Sequence, residues 1–259
     1  MARFFVPARN IAGGRATLAG TELAHLRRVL RLGPGDRVAL FDDTGREYEA
    51  VIRAVASDAA ELEILGSFRA ANESPLELIL AVAVTKGEKM DLVIEKATEL
   101  GVSRVVPHVS TRTVPRLDAA RSERRLERWR KIALSAAKQC GRTRLPEIAA
   151  IRPFAAVARD AWPGTLKIML WEKEDRGTLA ALHAAEPGAR SLLLAVGPEG
   201  GFSAEEAELA RDHGFNSVRL GGRVLRAETA AVAGMALLQF LWGDLGRAPG
   251  PAGPDEERL

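Results

Sequence analysis

The 259-residue chain has a single cysteine, Cys140. One cysteine excludes an internal disulfide and any zinc site built from several thiolates. The four histidines are scattered without metal-ligand spacing, so no metal is expected. Long hydrophobic runs are also missing. The longest, AAVAGMALLQFLWG from Ala230, is shorter than the roughly 20 residues that cross a bilayer. It reads as a buried helix, and no membrane association is expected. The opening residues MARFFVPARN lack the apolar segment of a secretory signal, which points to a cytoplasmic protein. No lysine follows the glycines of GPEGG, which excludes a P-loop, and the spacing fails the G-x-G-x-x-G pattern of dinucleotide folds.

Hydrophobic residues make up 47% of the chain, enough for a packed core. The formal charge is only +3, but the basic residues are unevenly spread. Between Arg112 and Arg144 they greatly outnumber the acids. Arginine binds phosphate through a bidentate fork, so a nucleic-acid partner is one reading and a solvated helix face the other.

Two rhythms divide the sequence. Residues 1–70 read as short strands: 3–6, 15–18, 33–42, 47–56 and 60–66, with a hairpin turn at 42–45. A helix over 21–31 is expected among them, capped by Thr21, with Leu23, Leu26 and Leu30 on one face. This spacing suggests a small β-barrel. Residues 67–75 lack periodicity and read as a linker. From Leu76 onward, apolar strands (76–84, 102–109, 166–172, 191–197, 216–222) alternate with helices (88–101, 121–141, 178–185, 203–214, 227–243). That alternation predicts an α/β domain over 76–245 with a parallel sheet covered on both faces. The Pro-, Gly- and charge-rich tail, 246–259, is expected to be disordered.

Two segments carry the chemistry. In LLLAVGPEGGFSAEE (192–206) an apolar strand runs into glycines, and Ser203 with Glu206 forms a capping box for the next helix. In RLGGRVLRAETAAVAG (219–234) a second strand ends in glycines, and Arg226, Glu228 and Thr229 open an apolar helix. Polar groups there need partners. One reading is a capped helix with a local Arg226–Glu228 ion pair. The other is the second wall of a pocket begun at Gly197.

Together GPEGGFSAEE and LGGRVLRAETA resemble the signature of the SPOUT-fold methyltransferases. More narrowly, they resemble the family that methylates ring nitrogen 3 of a uridine in 16S ribosomal RNA. RFFV, HLRRVLRLGPGD, KGEKMDLVIEKATELGV, TRTV and KQCGR follow the order expected of it. The resemblance implies a PUA-like RNA-binding barrel at the N-terminus, then a SPOUT domain with a C-terminal trefoil knot. It implies S-adenosyl-L-methionine as cofactor, a homodimer, and 16S rRNA in the small ribosomal subunit as partner. By analogy Gly197, Pro198, Glu199, Gly200 and Gly201 form one cofactor wall. Leu220, Gly221, Leu225, Arg226 and Thr229 belong to the other.

The chemistry suits such residues. Glycines let backbone approach a ligand closely. A uracil ring nitrogen becomes a good nucleophile only after losing its proton, and a guanidinium near the ring oxygens stabilises the resulting charge. Arg226 is the candidate for that role or for neutralising a phosphate; Glu228 is the candidate base or the group that orients Arg226. Arg3, Arg9, Arg27, Arg28, Gln139 and Arg142 are the candidate RNA contacts. Cys140, Trp129 and Trp171 read as packing residues, His25 and His108 as surface or hydrogen-bonded, and Glu88 and Asp91 as serving the first turn of their helix. Two alternatives stand beside this reading: a non-catalytic RNA-binding ribosome-assembly factor, and a SPOUT methyltransferase with another RNA target.

Overall fold

The computed structural model describes residues 1–70, 72–113 and 118–247. Most of the tail expected to be disordered, and Val114 of TRTV, lie outside the described residues. The described chain divides into two units: Met1–Glu73 with Ala137–Leu145, and Ser74–Ala136 with the described residues from Pro146 onward.

The first unit holds β1 (Ala2–Phe5), β2 (Ile11–Ala12), β3 (Arg15–Ala19), β4 (Arg37–Phe41), β5 (Arg46–Val55) and β6 (Ala59–Arg69). They form one sheet in the order β1-β4-β5-β6-β3-β2, antiparallel except where β1 runs parallel to β4. Alternation selects the inner face: Ala16 and Leu18 on β3, and Ala60, Leu62 and Ile64 on β6, join Phe4, Leu40 and Ile52 in one core. β6 runs into the segment expected to be linker, because Phe68 and Arg69 still pair with Glu47 and Arg46 of β5.

The expected helix over 21–31 is split. α1 (Gly20–Ala24) starts after Ala19 with no side-chain cap, so Thr21 is not the cap. A π-helical turn follows, His25–Leu30, ending at Arg31 in the left-handed region (φ 54°). The wider π turn advances the register by about one residue. Leu23 and Leu26 therefore stay buried, while Leu30 swings outward to 39% exposure beside Val29 at 65%.

The second unit contains β7 (Glu77–Ala83), α2 (Lys89–Glu99), β8 (Arg104–Val109), α3 (Ala119–Cys140, whose last turn belongs to the first unit), β9 (Glu147–Ile148), β10 (Arg152–Pro153) and α4 (Phe154–Arg159). It continues with β11 (Leu166–Leu170), α5 (Leu179–Ala185), β12 (Ser191–Val196), α6 (Ala204–Asp212), β13 (Phe215–Val218) and α7 (Ala227–Leu241). Every pairing is parallel, in the order β10-β8-β7-β12-β11-β13, with β9 also on β8. The apolar runs are explained by cover on both faces. Leu78, Leu80 and Val82 pack with α2, α3 and α7; Ile79 and Ala81 pack with Phe154 of α4 and Ala207 of α6. β9, β10 and α4 are too short for their periodicity to be read from sequence. On α3, Leu126, Trp129 and Ala133 face the core, while Arg121, Arg124, Arg128 and Arg130 are exposed.

Candidate active site

β11, β12 and β13 end side by side. Their last residues, Leu170, Val196 and Val218, line a cleft of about 190 Å³. Its walls are Gly197–Gly201, the segment from Arg219 to Leu225, and Ala227 and Ala230 at the start of α7. Ligands in open parallel sheets bind outside the carboxyl ends of the strands. The first wall is a turn closed by Gly201 N–H donating to the Pro198 carbonyl at 2.9 Å. Gly201 has φ +68°, and a Cβ there would lie 2.5 Å from Glu172 Oε1; one at Gly197 would lie 3.1 Å from the Phe202 ring. Glycine is thus required by the fold of this loop.

The expected capping box is present. Ser203 Oγ accepts from Glu206 N–H at 3.1 Å, and Glu206 Oε2 accepts from Ser203 N–H at 2.9 Å. The other Glu206 oxygen accepts from Thr111 N–H at 2.8 Å, and Arg112 Nη1 donates to the Gly200 carbonyl at 2.8 Å. The glycine turn is therefore held from below by α6 and from the side by the loop after β8.

Of the residues assigned to the cofactor, Gly197, Pro198, Glu199, Gly200, Gly201, Leu220 and Leu225 line this cleft. Gly221 and Thr229 do not; they face an apolar groove of about 630 Å³ with Leu220, Ala233, Leu237 and Phe240. Arg226 is the N-cap residue of α7, is exposed, and lines neither cavity. The Arg226–Glu228 pair is not formed. Glu228, at 13% side-chain exposure, instead lies 3.6 Å from Lys89 Nζ. Glu199 also meets Lys89, at 3.3 Å. Burial alone would raise the Glu199 carboxyl, but hydrogen bonds from its own N–H and that of Lys86, with the Lys89 ammonium, outweigh it and hold it below the ordinary value.

Sequence reasoning missed Glu172, Arg219 and Arg223 in the cleft, and Lys89 and Arg112 around it. Glu172 carried a signal: it is a carboxylate that closes the apolar run 166–172. Lys89 carried one too, as a cation in the first turn of a helix, where the dipole disfavours it.

The candidate RNA contacts divide. Arg9, Arg27, Arg28 and Gln139 are exposed. Arg3 and Arg142 are placed differently: their charges are engaged inside the first unit. Arg3, at 13% side-chain exposure, pairs with Glu47 at 2.9 Å and donates to the Ala137 and Arg142 carbonyls at 3.1 and 3.0 Å. Arg142 is buried at 5% and pairs with Glu73 at 3.0 Å, while the same carboxylate accepts from Thr143 and Arg144 N–H at 2.8 and 3.0 Å. With Lys138 bonded to Glu22 at 2.9 Å, KQCGR reads as an internal clamp.

His108 is not a surface histidine. It is fully buried between Phe154 and Phe202, and neither ring nitrogen makes a regular hydrogen bond. Burial pushes its pKa down to about 3, weakly opposed by the Val196 backbone. Glu88 and Asp91 reach past their own helix to Arg128 of α3. Trp129 is core, whereas Trp171 lines the cleft. Among the described residues, no group of three His, Cys, Asp or Glu is placed to hold a metal ion, and no helix is long and apolar enough to cross a membrane.

The family model of the RNA methyltransferase domain matches residues 72–239. The chain belongs to the RNA methyltransferase family. The model of the RNA methyltransferase PUA domain matches residues 18–65. The ribosomal RNA small subunit methyltransferase E of Synechocystis is 35% identical over 240 residues, 92% of this chain and 77% of that protein. The protein of the same name from Mycobacterium tuberculosis is 30% identical, covering 92% of this chain and 91% of its own length. The crystal structure of ribosomal RNA small subunit methyltransferase E from Neisseria gonorrhoeae bound to S-adenosyl methionine superposes with a TM-score of 0.86 at 33% identity, over 95% of this chain and 99% of that one. In this RNA methyltransferase the parallel sheet and its cleft fall within the RNA methyltransferase domain match, and the PUA match takes in β4, β5 and most of β6 of the first unit.

Proposed function

We propose that the chain transfers a methyl group from S-adenosylmethionine to ring nitrogen 3 of a uridine in 16S rRNA of the small ribosomal subunit, in the cytoplasm. We assign residues 1–70 to RNA binding and 76–245 to methyl transfer. The observation that carries this reading is the glycine-walled cleft at the ends of β11, β12 and β13. Its residues suit the cofactor. Leu170, Val196, Leu220 and Leu225 offer an apolar bed, Gly197 and Gly201 allow close backbone approach, and the carboxylates of Glu172 and Glu199 and the guanidiniums of Arg219 and Arg223 match a ligand with charges of both signs. When bound, the cofactor supplies an electrophilic methyl group.

The protein's task is then to place the acceptor in line and ease loss of its proton. Arg226, exposed at the start of α7, stabilises charge on the ring oxygens as the proton leaves. Glu228, two residues on, receives that proton. Arg9, Arg27, Arg28 and Gln139 present exposed polar heads to RNA. The exposed Leu237 (41%) and Phe240 (61%) beside the apolar groove support a homodimer through α7. A helix apolar on this side needs cover. Support for a trefoil knot comes from the path of the chain: β13 pairs on the far side of β11, and α7 then returns against β12 and β7.

Mass mapping of nucleosides in 16S rRNA from a deletion strain tests the reading. One N3-methylated uridine should disappear and return with the wild-type chain. Unchanged 16S rRNA, or loss of a modification in another RNA, refutes it.

A further inference from the structure

Lys89 lies where three parts of the site converge. It is the first residue of α2, yet its ammonium reaches the glycine turn and the opening of α7. Nζ is 3.3 Å from Glu199 Oε1 and 3.6 Å from Glu228 Oε2. The backbone N–H of Lys86 also donates to Glu199 Oε1, at 3.4 Å. Glu228 Oε2 is buried and has no hydrogen bond among the described residues, which leaves the ammonium as its compensating charge. Among the described residues, no other cation pairs with Glu199 or Glu228. Arg128 on α3 is taken up by Glu88 and Asp91, and Arg226 makes no contact with Glu228.

Helix stability does not explain the lysine. A cation in the first turn opposes the helix dipole. Its pair with Glu199 is about one-third exposed on both sides, and such surface pairs contribute little to folding. What the lysine does provide is geometry. The two carboxylates stand on separate segments, Glu199 in the wall before α6 and Glu228 in the first turn of α7, and one cation spans them.

We propose that Lys89 is a positioning residue for methyl transfer: its ammonium holds the Glu199 wall and the Glu228 carboxylate in one arrangement. This rests on the reading that Glu228 acts on the acceptor. Without the ammonium, both carboxylates lose their shared tether. The wall then loosens around the cofactor and Glu228 turns away from the acceptor nitrogen. The effect should fall on turnover more than on RNA affinity, because the Lys89 ammonium is already engaged by the two carboxylates.

The test is steady-state methylation of small ribosomal subunits from the deletion strain, with labelled S-adenosylmethionine. Lys89→Met, Lys89→Gln and Lys89→Arg are compared in the wild-type and Glu228→Gln backgrounds, with melting temperatures measured alongside. Lys89→Met should lower kcat roughly tenfold, as a small misplacement at a reacting centre does, with KM for the subunit and melting temperature near wild type. Lys89→Arg, which keeps the charge, should recover most of the loss. In the Glu228→Gln background the same change should cost less than about twofold, because the two residues act as a unit. Wild-type kcat in Lys89→Met overturns the proposal. So does an equal loss in both backgrounds, which would separate Lys89 from Glu228. If Lys89→Met does not fold, Lys89→Gln carries the comparison; parallel falls in kcat and melting temperature for Gln and Arg alike would make the lysine structural. A wild-type chain that methylates no small-subunit RNA overturns the underlying reading instead, and this one with it.

Discussion

Gly177→Ala should damage the cleft although residue 177 does not line it. Gly177 lies in the loop after β11, where its carbonyl accepts from Arg219 N–H at 3.2 Å and its own N–H donates to Glu174 Oε1 at 3.1 Å. A Cβ at this position would overlap the Ser217 carbonyl oxygen of β13 and sit 3.1 Å from its carbonyl carbon. Both are backbone atoms, so no side-chain rotation relieves the clash. The loop and the strand must separate by roughly 1 Å to restore even a close carbon–oxygen approach. Overpacking of this kind costs about 1–3 kcal/mol. For a chain of this size that lowers the melting temperature by about 2–12 °C. The same separation strains the 3.0 Å hydrogen bond from Trp171 N–H to the Val218 carbonyl, which joins two residues of the cleft lining. Cofactor affinity should fall at least tenfold, measured by calorimetric titration with S-adenosylmethionine. Gly188→Ala is the control, since a Cβ there meets nothing within 4 Å and the backbone is not left-handed. It should bind and melt as wild type. A Gly177→Ala protein with unchanged melting and unchanged affinity would refute the claim that β13 and the loop after β11 are in backbone contact.

Three further outcomes follow from particular residues. His108 is held neutral in the fold, with its pKa near 3 against an ordinary 6.5, so the unfolded ring takes up a proton that the folded ring refuses. Its contribution is complete above pH 6.5 and is lost as pH falls toward 3, at about 1.4 kcal/mol per pH unit; His108→Leu should remove that one-proton slope from urea-unfolding free energies measured between pH 6.5 and 4, and an unaltered slope would contradict the neutral ring. Arg226→Ala should lower single-turnover methylation about 10²–10³-fold with cofactor affinity and melting temperature unchanged, whereas parallel losses in all three would make it a structural cap. Phe240→Glu, at a position 61% exposed, should leave the fold intact and turn a dimer into a monomer in sedimentation at micromolar concentration; an unchanged sedimentation coefficient would remove α7 from the interface.

Much of the second unit was legible because its signals are local. The run LELILAVAV is unbroken because its two faces meet different helices, and that shows in sequence as absence of alternation. The Ser203–Glu206 box is legible because both partners lie within one helical turn. What stayed hidden is non-local. Arg3 and Arg142 look like RNA ligands until Glu47 and Glu73, 44 and 69 residues away, are brought beside them. One reading of the sequence pairs Glu228 with its neighbour Arg226; folding brings Lys89, 139 residues before it, to 3.6 Å instead. The π turn at His25–Leu30 escaped because one extra residue per turn leaves the spacing of Leu23 and Leu26 untouched and moves only Leu30.

The glycines divide in the same way, and the division bears on how a site is read from sequence. Gly197 and Gly201 announce themselves by clustering after an apolar strand, and the fold supplies the reason: Phe202 crowds Gly197, and Gly201 is left-handed with Glu172 against it. Gly177 has no such neighbours in sequence, yet a backbone carbonyl from β13 closes on it more tightly than any side chain closes on the glycine turn. The visible cluster shapes the surface a ligand meets. The isolated glycine sets how far apart the strands behind that surface stand. A motif therefore locates the cleft, while the residues that hold its width are found only where chain packs against chain.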